Sequence, residues 1–340
     1  MAAARRVVIT GVSTQWGAEL AWRLDRDPAV SYIAGIDLAR PPLDLGRAEI
    51  IEADPRSAVL ARLLPTLEPD TLVHCGIVWY PEPGKPARAL HDINVIGTLQ
   101  LLAACERTPS LERIVVRGSA AIYGCEGAAP AFFTEELART LPLRTTFQRD
   151  ASELEGYFDN FARRHPDVSC CMLRYQPEIG AELDSPLVRY LTLPVVPTQL
   201  GFDPRLQLVH VDDAHGALEA AVRSDARGPV NVAPDGAVSL TRILRLSRRP
   251  TFAIPHPLFG PALARLGRRL GAGALYGDAV RFLRYGRGVD NRRLRSELGF
   301  EPAFDALGAV RDFVERTSAR RVGSTLHPGS LAGRLAGMGP

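Results

Sequence analysis

Lysine is all but missing from this 340-residue chain: Lys85 is the only one, and arginine carries nearly all the positive charge. No run of roughly 18 apolar residues occurs, which excludes a membrane-spanning helix on hydropathy grounds. The opening Met1-Ala-Ala-Ala-Arg-Arg leads straight into an apolar strand, so no signal-peptide core with a cleavage site is expected. Cysteine is sparse as well. Cys75, Cys105, Cys125, Cys170 and Cys171 are odd in number and form no CxxC pair, which argues against a disulfide framework, and no metal site is expected. Cys170 and Cys171 are neighbours in an apparent strand, where their side chains point to opposite faces. A reduced cytoplasmic protein with small buried thiols is the expectation.

What is present is a core. Hydrophobic residues make up 46% of the chain and mean hydropathy is −0.02, the balance of a soluble globular protein. The formal net charge of +3 hides an asymmetry. Between Arg242 and Arg321 there are 17 Arg against 7 Asp plus Glu, an excess of +10, so the remainder carries −7. Such a stretch is either a solvated basic surface or an anion site, for a nucleotide diphosphate or an acidic membrane surface. Nucleic acid is not expected, because the arginines are not interleaved with aromatics on a recognised module.

The first half of the chain alternates. Short continuous apolar runs at Arg6 to Thr10, Tyr32 to Ile36, Ala48 to Ala53, Thr71 to Gly76, Arg113 to Arg117 and Val168 to Arg174 read as strands buried on both faces. Helical patterns lie between them, up to Leu24 and at Ser57 to Leu64, Ala87 to Glu106 and Phe147 to Arg164. This alternation predicts an α/β fold, a Rossmann doubly wound parallel sheet with right-handed crossovers. Residues 1–174 form the dinucleotide-binding domain, and 206–233 return to it. Residues 175–205 and 234–318 remain for a smaller mixed α/β C-terminal substrate lobe, mostly helical from Ser239. The tail, 319–340, is Gly-rich and aperiodic at its end and is expected to be disordered.

One loop carries the first chemical signal. Thr10-Gly-Val-Ser-Thr-Gln-Trp-Gly17 stands where a strand becomes a helix, and glycines there let backbone N–H groups and a helix N-terminus approach a pyrophosphate. Asp37 closes the second strand 20 residues beyond Gly17, where a carboxylate accepts both ribose hydroxyls of NAD and repels the extra phosphate of NADP. NAD is the expected cofactor.

Several further segments follow in order. They are Asp54-Pro55, Val73-His-Cys-Gly76, Asn94-Val-Ile-Gly-Thr98, Ser119-Ala-Ala-Ile-Tyr-Gly124, Leu173-Arg-Tyr175, His210-Val-Asp-Asp-Ala214, Asn231-Val232 and Asp290 through Leu298-Gly-Phe-Glu-Pro302. With the glycine loop they make the chain resemble, over roughly residues 5 to 317, the extended short-chain dehydrogenase/reductases, the NAD-dependent epimerase/dehydratase group that includes UDP-galactose 4-epimerase. The resemblance implies a cofactor shell of Gly11, Ser13, Thr14, Gln15, Trp16, Gly17, Asp37, Asp54, Pro55, Cys75, Gly76, Asn94 and Ser119. Asp54 reaches the adenine, and Asn94 braces the segment after strand four. It also implies a nucleotide-sugar-like phosphorylated ligand, for which Arg205, Arg284 and Arg287 are the candidates, and a homodimer through helices Ala87 to Glu106 and Phe147 to Arg164.

The pattern breaks at the reaction centre. The family's chemistry uses a Tyr and, four residues on, a Lys that lowers the phenol's pKa for proton transfer. Counting 28 residues beyond Ser119 puts Phe147 in the Tyr position, Ala151 in the Lys position and Glu155 at the following acid. Asp150 is one residue off and rotated about 100° around the helix. Ser119, with Tyr123 as the nearest spare phenol, is what remains for catalysis. Thr14 replaces the loop's middle glycine, where its Cβ crowds a pyrophosphate or its hydroxyl bonds one. Pro177 stands where an Asn commonly touches the substrate phosphate. Two readings stay open: an atypical epimerase, dehydratase or oxidoreductase, and a non-catalytic NAD-binding scaffold or redox sensor. Around Pro261 to Leu270, Leu263, Leu266 and Leu270 form one helical face and Arg265, Arg268 and Arg269 the other. An inward Leu stripe is the favoured reading there, and docking on an anionic membrane the lesser one.

Overall fold

In the computed structural model, which describes residues 4–41, 44–78, 87–269 and 278–325, the apolar runs pair as one parallel sheet. The first six strands are β1 (Arg5–Thr10), β2 (Val30–Asp37), β3 (Glu49–Glu52), β4 (Thr71–His74), β5 (Arg113–Ser119) and β6 (Ser169–Tyr175). Four short strands follow, β7 (Glu178–Ile179), β8 (Val196–Gln199), β9 (Arg205–Leu206) and β10 (Val209–His210), before β11 (Gly228–Val232) returns to the sheet. The order is β11-β6-β5-β4-β1-β2-β3, so consecutive strands run outward from β1 in both directions. That reversal between β1 and β4 opens a crevice at the carboxyl edge of the sheet, the usual ligand position in doubly wound folds.

Helices cover both faces. They are α1 (Gln15–Asp25), α2 (Leu60–Leu67), α3 (Ala87–His91), α4 (Gly97–Cys105), α5 (Thr146–Arg164), α6 (Pro186–Leu191) and α7 (Val211–Arg223). Strand alternation decides which side each residue joins. Val7, Ile9, Val115 and Leu173 pack with Leu20 of α1 and Leu218 of α7, whereas Val8, Ile114, Val116 and Met172 pack with Leu101 of α4 and Phe158 of α5. Cys171 belongs to the first cluster and Cys170 to the second, as their adjacency requires. All five cysteines are buried, and none is in a disulfide.

The long helix expected from Ala87 to Glu106 is interrupted. A π-helical turn over Asp92–Ile96 joins α3 to α4 and centres on buried Asn94. Such bulges concentrate at functional sites. At α5 the start is fixed by a capping box: Thr145 accepts from the Gln148 N–H, and the Gln148 side chain reaches back to the Thr145 backbone. This arrangement contributes about 1 kcal/mol.

A second core gathers Ile179, Tyr190, Val196, Leu206, Ile243, Phe259, Leu263 and Phe313. It is built from β12 (Val238–Ser239), α8 (Leu240–Leu246), β13 (Thr251–Ile254), α9 (His256–Arg269), α10 (Asp278–Tyr285) and α12 (Ala306–Thr325), packed with β8 and α6, whereas α11 (Arg292–Leu298) packs Leu294 and Leu298 into the first core. The mostly helical stretch expected from Ser239 therefore contains a strand. Pro250 and Pro255 bracket Thr251-Phe-Ala-Ile254, stopping a helix on either side, and β13 pairs in parallel with β8. Leu263 is buried and Leu266 packs against this core, so the Leu stripe of α9 faces inward. Helix α12 runs to Thr325, past the expected start of disorder at 319. Residues 326–340, Leu270, Trp79 and Lys85 lie outside the described residues. Among those described, no helix is long and apolar enough to cross a membrane.

Candidate active site

At the crevice, backbone meets backbone. Gly11 takes φ +79°, and a Cβ there would lie 2.4 Å from the Cα of Gly76; a Cβ on Gly17 would lie 2.3 Å from the Gly11 carbonyl oxygen. Only glycine fits either position. Thr14 is the N-cap of α1: its hydroxyl donates to the Gly11 carbonyl at 2.6 Å and accepts from the Gly17 N–H at 3.1 Å. The hydroxyl expected to reach a phosphate is thus used in shaping the loop. Because Thr14 caps Gly17, the Gln15 and Trp16 N–H groups at the helix start keep no acceptor among the described residues. Asp37 ends β2 beside this loop, and its Oδ2 accepts from the Ser13 N–H at 2.9 Å and from the Ser13 hydroxyl.

The floor is held by buried polar contacts. His74 lies between the Thr10 hydroxyl at 2.7 Å and the Thr98 hydroxyl at 3.1 Å. Burial pushes its imidazole down to about 4, so it is neutral. The Cys75 thiol is pushed up to about 12 by the same desolvation and is inert at neutral pH. Asn94 grips the chain after Gly76 from both sides, accepting from the Val78 N–H at 2.8 Å and donating to the Val78 carbonyl at 2.9 Å. Asp54 and Pro55 follow β3, and the Asp54 carboxylate is already paired with the Arg56 guanidinium at 2.8 Å, which holds it below its ordinary range.

Ser119 ends β5 and caps the 3-10 turn that follows, accepting from the Ala121 N–H. Tyr123 sits in that turn and is not a spare phenol. It is fully buried, stacked on Phe133, donates to Asn231 at 2.7 Å and accepts from Arg174 at 2.9 Å. Burial pushes its pKa up to about 12. The physical reason for this correction is the Arg174 cluster. Glu155 binds Arg174 bidentately at 3.0 and 2.7 Å, and Arg174 also donates to the Glu135 carbonyl, while the Glu135 carboxylate accepts from the Asn231 N–H. Tyr123 and Glu155 are two members of one brace between α5 and the ends of β6 and β11.

Phe147 is half-buried in the first turn of α5 and Ala151 is buried one turn later. Beside them is a pair no local pattern announces. The buried Asp150 carboxylate meets His91 Nδ1 at 3.0 Å across the α3–α5 seam, which raises the imidazole's pKa. The partners are 59 residues apart, so only the fold joins them.

Arg287 lies beyond the carboxyl end of β6. It is buried between Gln176, which follows β6, at 3.3 Å, and the Cys125 sulfur at 3.6 Å, and no carboxylate pairs with it among the described residues. Arg284 lies over the Phe202 and Tyr285 rings at 4.5 and 4.8 Å, bonded to His256, with its buried Nε lacking an acceptor among the described residues. Arg205 is exposed on β9, whose backbone packs against Gly286. The three predicted arginines therefore fall on adjoining segments, with different burial. Gln176 and Gln207, which bond each other under Arg287, had no sequence signal, since glutamines at strand ends are ordinarily exposed.

A sequence profile described as the NAD dependent epimerase/dehydratase family matches residues 7–233. The chain belongs to that family. Among its relatives is the uncharacterized protein Rv0501 of Mycobacterium tuberculosis, 36% identical over 312 residues, 90% of this chain and 82% of that protein. A second, the uncharacterized protein Rv2047c of the same organism, is 27% identical over 97% of this chain, which spans only 32% of that longer protein. Solved epimerase/dehydratase structures share the fold. MoeE5 in complex with UDP-glucuronic acid and NAD superposes with a TM-score of 0.70 at 23% identity, over 93% of this chain and 99% of that one. A UDP-glucuronic acid 4-epimerase from Bacillus cereus in complex with NAD gives 0.68 at 16%, over 92% and 99%.

Proposed function

We propose that this family member binds NAD in the β1/β4 crevice and a phosphorylated, nucleotide-sugar-like ligand between the crevice and the lobe, without the family's Tyr/Lys pair. The residues fit the cofactor. Two open N–H groups at the start of α1, glycine backbones in contact and a carboxylate at the end of β2 are the donor and acceptor set that a dinucleotide's pyrophosphate and ribose take. NAD, when bound, supplies a hydride acceptor. Asn94 and His74 keep the floor rigid, and Ser119 is left to orient a substrate oxygen.

The observation that carries the ligand reading is Arg287, a buried guanidinium whose protein partners are neutral. Burying a cation without a counter-charge is expensive, and a diphosphate supplies the missing charge. MoeE5 is in complex with UDP-glucuronic acid and NAD, and the Bacillus cereus neighbour is a UDP-glucuronic acid 4-epimerase, which favours that ligand class. Titration with NAD followed by Trp16 fluorescence tests the cofactor. A saturable response that Asp37→Ala weakens about tenfold is expected, and no response from the folded protein would contradict it.

A non-catalytic scaffold is the second reading, favoured by Phe147 and Ala151 at the positions of the missing pair and by the burial of Tyr123. His91 with Asp150 is the proton-transfer pair available to the first, an imidazole oriented by a buried carboxylate. Restoring the missing groups in Phe147→Tyr with Ala151→Lys separates the two. Turnover of a UDP-sugar only in the double variant indicates a lapsed enzyme. Turnover by the parent that His91→Ala abolishes assigns the proton to His91. The cleft lined by Leu99, Leu102, Ala103 and Tyr157, with Ile96 and Leu99 exposed beside it, favours a homodimer through α4 and α5.

A further inference from the structure

The basic half of the chain divides into two kinds of arginine. From residue 278 on, five guanidinium groups have an acid partner: Arg281 pairs with Glu126, Arg292 with Asp290, Arg293 with Glu297, Arg295 with Asp235 and Glu301, and Arg316 with Asp312. The stretch 242–277 is different. It contains seven arginines and no Asp or Glu. Arg242, Arg245, Arg248 and Arg265 are exposed, and none forms an ion pair with a described residue. A like-charged segment without counter-charges raises the local potential and gains most from an external polyanionic surface.

Large apolar side chains stand out from the same segment. Phe252 is 63% exposed, Leu258 60%, Leu200 58% and Val195 52%. They are neighbours in space. Strand β13 pairs only with β8 among the described residues; the Val196 N–H bonds the Pro250 carbonyl and the Leu200 N–H bonds the Ile254 carbonyl. Val195 thus precedes and Leu200 follows the β8–β13 pair, Phe252 lies on β13 between those two levels, and Leu258 follows in the first turn of α9. The buried Leu263 face of α9 packs the other way, so these four are not an extension of the core. Exposed apolar residues on a segment whose exposed arginines lack acid partners fit an interfacial membrane contact, in which side chains enter the acyl boundary and cations face anionic headgroups.

We propose that the β8–β13 edge with the start of α9 docks on an anionic lipid surface, with Phe252, Leu258, Leu200 and Val195 entering the bilayer interface and Arg242, Arg245, Arg248 and Arg265 meeting lipid phosphates. This surface is independent of the crevice and holds whether or not the protein turns over a sugar. The chain would then work at a membrane although no helix among the described residues is long and apolar enough to cross one.

Co-sedimentation of the full chain with vesicles of phosphatidylcholine, with and without phosphatidylglycerol, tests it. Binding to the phosphatidylglycerol vesicles alone is expected, weakening with salt. Phe252→Ser with Leu258→Ser lowers the partition at least tenfold, and each of Arg245→Gln and Arg248→Gln lowers it about fivefold. All these positions are exposed, so unchanged thermal transitions should accompany the loss. The proposal is overturned if the parent fails to sediment at low salt, or if the serine variant sediments as well as the parent. It is equally overturned if the patch proves to be covered by a second copy, seen as self-association that the serine variant abolishes without any vesicle binding.

Discussion

Two buried arginines, Arg174 and Arg287, lie at the same end of the sheet and have opposite surroundings. Arg174 is held by both oxygens of Glu155, by a phenol and by a carbonyl, and Glu155 raises its pKa despite burial. Arg287 has an amide oxygen and a thiol. The first cluster closes on itself and holds α5 against β6, leaving nothing for a ligand to add. The second has neutral partners only, and on the proposal above an anion would complete it.

The contrast is broken most severely at Glu155. Glu155→Gln leaves the Arg174 cation buried without its counter-charge and should lower the unfolding free energy by about 3–5 kcal/mol, read by urea denaturation. An unchanged midpoint would mean that the cluster is not the brace described. A smaller effect is expected at Tyr123. Tyr123→Phe strands the side chains of Asn231 and Arg174 and should cost about 1–2 kcal/mol while leaving the NAD titration as it was; a loss of NAD binding instead would return the phenol to the site. The smallest effect concerns Asp150. Its carboxylate raises the His91 pKa above the ordinary 6.5, so the pair stabilises the fold fully below that pH and the contribution fades as pH rises through the raised value. Melting curves of the parent and Asp150→Asn should differ most in mildly acidic buffer and converge in alkaline buffer. A gap that is the same at every pH would show that the pair is not charged.

Much of this was legible beforehand where the signal is local. The glycine loop, the acid at the end of β2 and the parallel sheet follow from runs and spacings within a few tens of residues, and sheet order and facing of side chains agree with the expected sheet. What sequence could not give were pairings made by the fold. Tyr123 looks spare in the sequence because its partners Arg174 and Asn231 are 51 and 108 residues away. The hydroxyl of Thr14 was offered to a phosphate because helix capping by a residue inside a phosphate loop has the same local pattern as phosphate binding. Strand β13 was read within a helical stretch since its four residues are stabilised by pairing with β8, not by any propensity strong enough to see alone.

The central claim concerns Arg287, and calorimetric titration with uridine diphosphate in the presence of NAD tests it most directly. The parent should bind saturably. Arg287→Met should bind roughly tenfold to hundredfold more weakly, the loss of charge-assisted hydrogen bonds, while melting at the same temperature or slightly higher because an uncompensated cation has left the interior. Equal binding by parent and variant, or a variant that melts far below the parent, would show that Arg287 serves the fold and that the anion site lies elsewhere.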